Sequence, residues 1–521
     1  MPNMTPLTRV IVLCLLLALV ALPVAAQDAT AEAESDVITL VPHTDEAFGI
    51  EAVVPDGWTA LGNGLFGRQT VPTDPVLVAL QAAPLNAESL LNALLPQLAL
   101  TEAPESVGIY DGLLPWTLYQ VDVEAGGTTI RVDLALAESG GKTYLMLLQA
   151  PPEDYDVLHT SVFMATLDNY APLAVDETAE ELPYNVEDVT FENGDITLAG
   201  TLTTPEGEGP FAVVVLVSGS GPQDRDESLG PMIPMKPFAL LADGLTRAGI
   251  AVLRYDDRGV GESGGNFATA STFDFATDAE SAINYLLTRD DINPDEIGLI
   301  GHSEGGLVAA MLGARNEDLD FIISLAGPGV PGTEVLLLQN EKIILAEGGT
   351  QADVDAQIAF LNEMFAVLDD PAAIEQLTYE RALAELETLS EEQRAQFGDA
   401  EQYARMVAQQ SAQQYGQGWF ESFLTYNPAP DWAQTTVPVL AIFGGMDVQV
   451  DAEQNAPAVE AALTEAGNED FEIVTLPDAN HLFQPTETGA ISEYETLPNA
   501  FTPDLIPTIV NWLETHVTLA Q

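Results

Sequence analysis

Lysine is almost missing from this chain, with three among 521 residues, at 142, 236 and 342. Lysine and arginine together number 15 against 81 aspartates and glutamates, a formal net charge of −66. A nucleic-acid partner is thereby excluded, because gripping phosphates requires clustered basic side chains. Anionic membrane surfaces are disfavoured for the same reason. Such acidity suits a saline exterior where screening removes self-repulsion, or reflects a compositional bias of the source, and the sequence leaves both open. Histidine occurs five times, too few and too scattered for a metal site. No metal and no cofactor are expected. Apolar residues are plentiful, at 47%, and a chain this long should divide into two to four domains.

Cysteine occurs once, as Cys14, inside a segment with the pattern of a secretory signal peptide over residues 1–26. Arg9 supplies a short positive start, Val10 to Leu22 are apolar, and Val24-Ala25-Ala26 offers a cleavage site before Gln27. The apolar run is shorter than the ~18 residues of a spanning helix, so an uncleaved anchor is the lesser alternative. Cys14 lacks a lipoprotein-type lead-in. Cleavage after Ala26 would leave a secreted or extracytoplasmic chain with no cysteine, no disulfide, no thiolate chemistry and no stable membrane association. Residues 27–36 are small, polar and acidic, and read as a disordered spacer.

Residues 37–172 read as a smaller α+β domain with an antiparallel sheet. Strands are expected over 37–41, 48–54, 75–80, 118–123, 129–136 and 143–149, and helices over 89–98 and 155–170. Asp56-Gly57, Gly126-Gly127 and Gly140-Gly141 supply turns. Val54-Pro55-Asp56-Gly57-Trp58, with a closing helix that contains Phe163, loosely resembles the PsbP/Mog1-like folds. His43 and His159 look isolated, and Trp58 and Trp116 look like core residues. An accessory role is expected here, and the ligand of such a domain is not legible. Residues 173–185 are acidic and read as a linker.

From Val186 to about 518, strands and helices alternate. A hairpin around Asn193-Gly194 is followed by strands over 211–217, 250–255, 297–300, 320–326, 437–443 and 471–476, separated by helices. This describes an α/β domain with a mostly parallel sheet covered on both faces. Residues 331–430 interrupt the alternation with four helical stretches and an aromatic cluster, as a helical cap over the sheet would.

At the centre lies Ile297-Gly298-Leu299-Ile300-Gly301-His302-Ser303-Glu304-Gly305-Gly306. It reads as a buried strand, a sharp G-x-S-x-G turn and the start of a helix. Gly301 and Gly305 leave room for the helix to pass close to the strand while the serine is held in a strained turn. Four more segments accompany it in order. They are Val217-Ser218-Gly219-Ser220-Gly221-Pro222-Gln223-Asp224-Arg225-Asp226, Arg254 to Ser263, Phe443-Gly444-Gly445-Met446-Asp447, and Asn480-His481-Leu482-Phe483. Together they resemble the α/β-hydrolases, specifically bacterial carboxylesterases of the EstD type.

That resemblance implies a serine nucleophile, then an acid, then a histidine, in this chain order. A serine hydroxyl needs a histidine base, and the histidine needs a carboxylate to fix its tautomer. Ser303 is the expected nucleophile. His481 is the one histidine placed in a loop after the right strand, and Asp447 is the expected acid, with Asp451 as runner-up. The oxyanion hole should use the backbone N–H groups of Ser220 and Glu304. Ser218-Gly219 stands where many α/β-hydrolases carry His-Gly, which leaves open what orders that loop. Asp224, Arg225 and Asp226 look like an internal ion-pair network, and Asp257 to Ser263 like a structural turn.

The resulting expectation is a secreted serine hydrolase acting on small-molecule carboxylic esters. A serine aminopeptidase or amidase on the same scaffold, and a catalytically silent binding protein, are the alternatives. Oligomeric state is not legible.

Overall fold

A computed structural model describes residues 38–520 apart from 47, 69–73, 96, 97, 99, 101, 126, 127, 174–181, 231, 232, 234, 391–393, 395, 396, 398, 399, 416 and 417. The expected signal peptide and spacer, most of the expected linker, and the Gly126-Gly127 turn lie outside the described residues. The described chain forms two compact units, one made of 38–178 with 372–413 and the other of 179–371 with 414–520.

The first unit is built on antiparallel strands. β1 (Leu40–Asp45), β2 (Ile50–Pro55) and β10 (Ala171–Pro172) form a three-stranded sheet. β3 (Thr59–Gly62), β4 (Leu65–Gly67), β5 (Leu77–Ala83), β6 (Gly108–Asp111), β7 (Pro115–Ala125), β8 (Thr128–Ser139) and β9 (Lys142–Ala150) form a seven-stranded sheet ordered 3-4-5-9-8-7-6. Its centre is where the long strands β5, β8 and β9 pair, because their Leu, Met and Ala side chains are buried on both faces. The added strands β3, β4, β6 and β10 have only two to four residues each, too short for a period-2 pattern to show. Helix α1 (Ala87–Leu94) is capped by the Asn86 side chain, which accepts from the Ser89 N–H at 2.8 Å.

The expected 155–170 helix is a composite. It comprises α2 (Pro152–Leu158), a π-helical turn over His159–Met164, and a short α-turn over Ala165–Leu167. His159 is not isolated, contrary to the expectation. Its Nδ1 bonds the buried Asp133 carboxylate at 2.7 Å, and Asp133 also accepts from the Tyr155 hydroxyl at 2.8 Å. Asp133, an acid between Val132 and Leu134 in a core strand, is the sequence signal for that partner. Trp116 is fully buried against Tyr170, a core residue as expected, and Trp58 packs at the edge of the same cluster.

The second unit carries an eight-stranded sheet of β11 (Tyr184–Asn193), β12 (Ile196–Pro205), β13 (Phe211–Val217), β14 (Ala251–Tyr255), β15 (Ile292–His302), β16 (Phe321–Leu325), β17 (Val439–Gly444) and β18 (Phe471–Leu476). Counted from β11, the order is 1-2-4-3-5-6-7-8, with β11, β12 and β14 joined antiparallel and every other pair parallel. β11 begins inside the expected linker. β15 begins five residues before the apolar run, because a register irregularity opposite Phe211–Val213 lets the strand continue past its polar start.

Helices α3 (Pro237–Arg247), α4 (Thr272–Leu286) and α5 (Gly305–Arg315) follow β13, β14 and β15, and α4 opens with a capping box between Ser271 and Asp274. Strand order reverses at β13, where the chain turns first to β14 and then crosses to β15. The loops after β13 and β15 therefore face each other at the carboxyl edge, the place where open α/β sheets bind ligands.

The helical insertion is divided. α6 (Gly332–Ala346) and α7 (Gln351–Phe365) belong to the second unit, α8 (Pro371–Thr388) and α9 (Ala400–Tyr415) fall almost wholly in the first, and α10 (Gly418–Thr425) returns to the second. Trp419, Phe420, Phe423 and Leu424 of α10 bury against Phe267 and against Leu307 of α5. The Ser422 hydroxyl accepts from the Thr272 N–H at 2.9 Å, tying α10 to the start of α4. α11 (Ala452–Glu465) and α12 (Leu505–Leu513) complete the unit. Among the described residues no helix is long and apolar enough to cross a membrane.

Leu299 is fully buried at the middle of β15. Leu299→Ala should destabilise the second unit by about 2–5 kcal/mol, read as a lower urea midpoint with an unchanged slope.

Candidate active site

The turn after β15 is the tightest point of the second unit. Ser303 has φ +52°, in the left-handed region that a non-glycine residue occupies only under constraint. Its N–H bonds Leu325 O at 2.9 Å and its carbonyl accepts from Gly306 N–H at 2.9 Å. A Cβ at Gly301 would stand 2.1 Å from Gly305 O, and one at Gly305 would stand 2.2 Å from Val217 O. Only hydrogen fits at either place. The serine is thus presented at the carboxyl edge, ahead of the N-terminus of α5, whose dipole favours negative charge.

Asp447 lies just beyond β17, buried at 3% exposure. Its Oδ1 accepts from the N–H groups of Gln449 at 2.7 Å and Val450 at 2.9 Å, which fixes the carboxylate plane. Its Oδ2 then accepts from His481 Nδ1 at 2.7 Å. The Asn480 side chain orders the histidine loop by accepting from the N–H groups of Leu482 at 3.0 Å and Gln484 at 2.9 Å. Asp451 has a different role, capping α11 through Gln454 N–H at 2.9 Å and pairing with Lys342 of α6.

The loop after β13 completes the edge. The Ser218 hydroxyl donates to Asp257 Oδ1 at 2.9 Å, and Gln223 N–H donates to Asp257 Oδ2 at 3.0 Å. Gly219 N–H donates to Glu227 Oε1 at 3.1 Å. A Cβ at Gly219 would lie 3.2 Å from Ser303 Cβ, so this loop lies directly against the Ser303 turn. Asp257 and Glu227 therefore order the Ser218-Gly219 loop, and sequence reasoning missed both. Arg225 is held by Asp256 at 2.7 Å and Glu262 at 2.7 Å, and Asp226 by Lys236 at 2.9 Å and Arg254 at 3.0 Å. Arg258 is clamped by Asp278 at 2.7 Å and Asp274 at 3.2 Å. His302 points away from the serine's open side, with Nδ1 2.7 Å from Glu227 Oε1 and Nε2 3.0 Å from His481 O.

Burial dominates the electrostatics here. It pushes the Glu304 carboxyl up to about 7, although the Thr272 and Ser220 hydroxyls act against the shift, and the Thr272 hydroxyl donates to Oε1 at 2.6 Å. It pushes Asp257 well above the usual carboxylate range. For His302, burial alone would favour the neutral ring, but the Glu227 charge and hydrogen bond outweigh it and raise the pKa. An enclosed cavity of about 10 Å³ lies behind the loop, with Ser218, Asp257, Asp278 and Glu304 in its wall. Among the described residues no three His, Cys, Asp or Glu side chains gather as a metal centre would require.

A serine at a strained strand–helix turn, a carboxylate–histidine pair at the same sheet edge and this strand order define an α/β-hydrolase. The description of the alpha/beta hydrolase family matches residues 214–490, and the chain belongs to that family. Among curated proteins, it is similar to Esterase EstD of Thermotoga maritima, with 29% identity over 310 residues that cover 59% of this chain and 63% of the relative. The chain thus spans less than two thirds of that relative. Among solved structures, it is similar to an esterase of Pyrococcus furiosus, with 15% identity and a TM-score of 0.39, covering 66% of this chain and 96% of the other. Ferulic-acid-bound Est1E of Butyrivibrio proteoclasticus gives 16% identity and a TM-score of 0.35 over 63% of this chain and 98% of the other.

Glu304 provides a pH test. A free glutamate releases its proton near 4.5 and the folded one near 7, so between these values the folded state holds a proton that the unfolded chain has lost. Stability should fall as pH rises through that window, by at most about 1.4 kcal/mol per pH unit. Urea midpoints at pH 5 and pH 7.5 should show this loss in the wild type and a smaller one in Glu304→Gln.

Proposed function

We propose that this protein is an exported serine hydrolase that cleaves carboxylic esters through an acyl-enzyme on Ser303, with His481 as general base and Asp447 as its orienting acid. The observation that carries the reading is the 2.7 Å bond from His481 Nδ1 to a buried, backbone-fixed Asp447, at the edge where Ser303 sits with φ +52°. Bonding at Nδ1 leaves Nε2 as the nitrogen that can take a proton.

In this reading Ser303 Oγ attacks the ester carbonyl as its proton passes to His481 Nε2. The backbone N–H groups of Glu304 and Ser220 receive the oxyanion. His481 then returns the proton to the departing alcohol oxygen, leaving an ester between the acyl group and Ser303. Water, deprotonated by the same histidine, attacks that ester, and His481 returns the proton to the departing Ser303 Oγ as the acid is released. The likeness to Esterase EstD supports ester over amide substrates. Small to medium esters with short acyl chains suit entry beneath a helical cap. The pattern of residues 1–26 supports export with cleavage after Ala26, and the scarcity of basic side chains argues against nucleic-acid partners.

A fluorophosphonate should label residue 303 and no other, and p-nitrophenyl acetate and butyrate should be turned over. Ser303→Ala should abolish both while retaining the fold, and Asp447→Asn should lower kcat by on the order of 10³-fold or more. Labelling without ester turnover would redirect the reading to aminoacyl and peptide substrates. A folded chain that never labels would overturn it.

A further inference from the structure

The mechanism above leaves one buried titratable pair unused. Glu227 and His302 lie 75 residues apart in sequence and are 2% and 5% exposed. Together they touch three separate loops of the site. Glu227 Oε1 accepts Gly219 N–H at 3.1 Å, in the loop after β13. The same oxygen bonds His302 Nδ1 at 2.7 Å, and His302 immediately precedes Ser303. His302 Nε2 reaches the backbone carbonyl of His481 at 3.0 Å, and the two imidazole rings lie 4.9 Å apart.

We propose that Glu227 and His302 form a second carboxylate–imidazole pair that reacts with nothing and positions the His481 loop and the Gly219 amide against Ser303. This rests on the triad assigned above.

The bonding leaves little freedom. A carbonyl oxygen only accepts, so Nε2 must carry a proton and donate it to His481 O. Nδ1 then faces a carboxylate that already takes the Gly219 N–H, and one further proton joins Nδ1 to Oε1. The unit of glutamate and doubly protonated imidazole has no net charge, which makes its burial tolerable. Glu227 itself sits at φ +56°, in the same left-handed region as Ser303. Asp447 orients the His481 side chain from one side while His302 holds the His481 main chain from the other. The residue is thereby held once through its ring and once through its main chain.

Such a pair acts on the geometry of attack rather than on substrate affinity. A displacement of about 1 Å costs on the order of 100-fold in rate. The test compares His302→Leu, His302→Gln and Glu227→Gln with the wild type, using the fluorophosphonate labelling rate together with kcat and KM on p-nitrophenyl butyrate. Thermal melting checks that each variant is folded. His302→Leu removes both bonds and should lower kcat and labelling by roughly 10- to 100-fold with KM changed less than about threefold. His302→Gln keeps a donor near the Nε2 position and should recover most of that loss. Glu227→Gln keeps the size of the side chain but removes its charge and should lower kcat in the same way, so the proposal stays testable if the leucine variant does not fold. Folded variants that label and turn over at the wild-type rate would overturn it, as would a glutamine at 302 no better than leucine. A wild-type chain that never labels would instead overturn the triad, and the pair with it.

Discussion

The site depends on a contact between two stretches of main chain with no side chain between them. α5 leaves the sheet so close to β13 and β15 that a methyl group at Gly301 or Gly305 would overlap a backbone carbonyl. Gly306 continues the same contact against Gly327, where an added Cβ would lie 2.5 Å from a Cα. That approach bends the chain sharply enough to hold Ser303 at positive φ, and it aims the N-terminus of α5 at the serine's open side. The strain at Ser303 persists because the carbonyl of Leu325 and the N–H of Gly306 hold the residue on both sides. Everything polar at this edge is arranged around a point fixed by sterics.

The polar arrangement has two tiers. Asp447 and His481 pair with each other at the sheet edge that carries Ser303, and each is oriented by main-chain or loop contacts of its own. Behind them sit carboxyls that are buried and hydrogen-bonded: Asp257 under Ser218, Glu227 under Gly219, and Glu304 against Thr272. In a chain so short of cations, several of the arginines are placed inside this half of the molecule. Arg225, Arg254 and Arg258 are each at most 15% exposed and each meets at least one carboxylate. Breaking one of these pairs would strand a buried charge, a larger penalty than the net worth of the pair. The remaining acidic excess is carried largely by exposed side chains.

Much of the second unit was legible because its signals are contiguous. Ile297 to Ile300, Phe211 to Val217 and Val439 to Phe443 are unbroken apolar runs that only a doubly covered strand explains. Ser303 and His481 stand out in the sequence because few residue types can do the chemistry proposed for them and they stand in short motifs. Glu227 does not, since its link to His302 spans 75 residues and follows no periodicity. Asp133 and His159 escaped for the same reason, being joined only by the pairing of a strand with a helical turn. The division of the insertion was also out of reach. The stripe Ile374, Thr378, Ala382 and Leu386 on α8 announces a helix with one buried face, but a periodicity does not say which neighbour covers that face.

The burial of the arginines has a consequence for degradation. A protease that cuts after basic residues finds only 15 such residues in 521, and the bonds after 225, 254 and 258 follow side chains anchored by carboxylates. Arg254 lies in β14, paired on one side with β12 and on the other with β13. Cleavage there requires the sheet to open first. For those bonds the lifetime of the chain is set by how often the second unit unfolds, and an enzyme of this specificity would read out the stability of the sheet that carries the candidate active site.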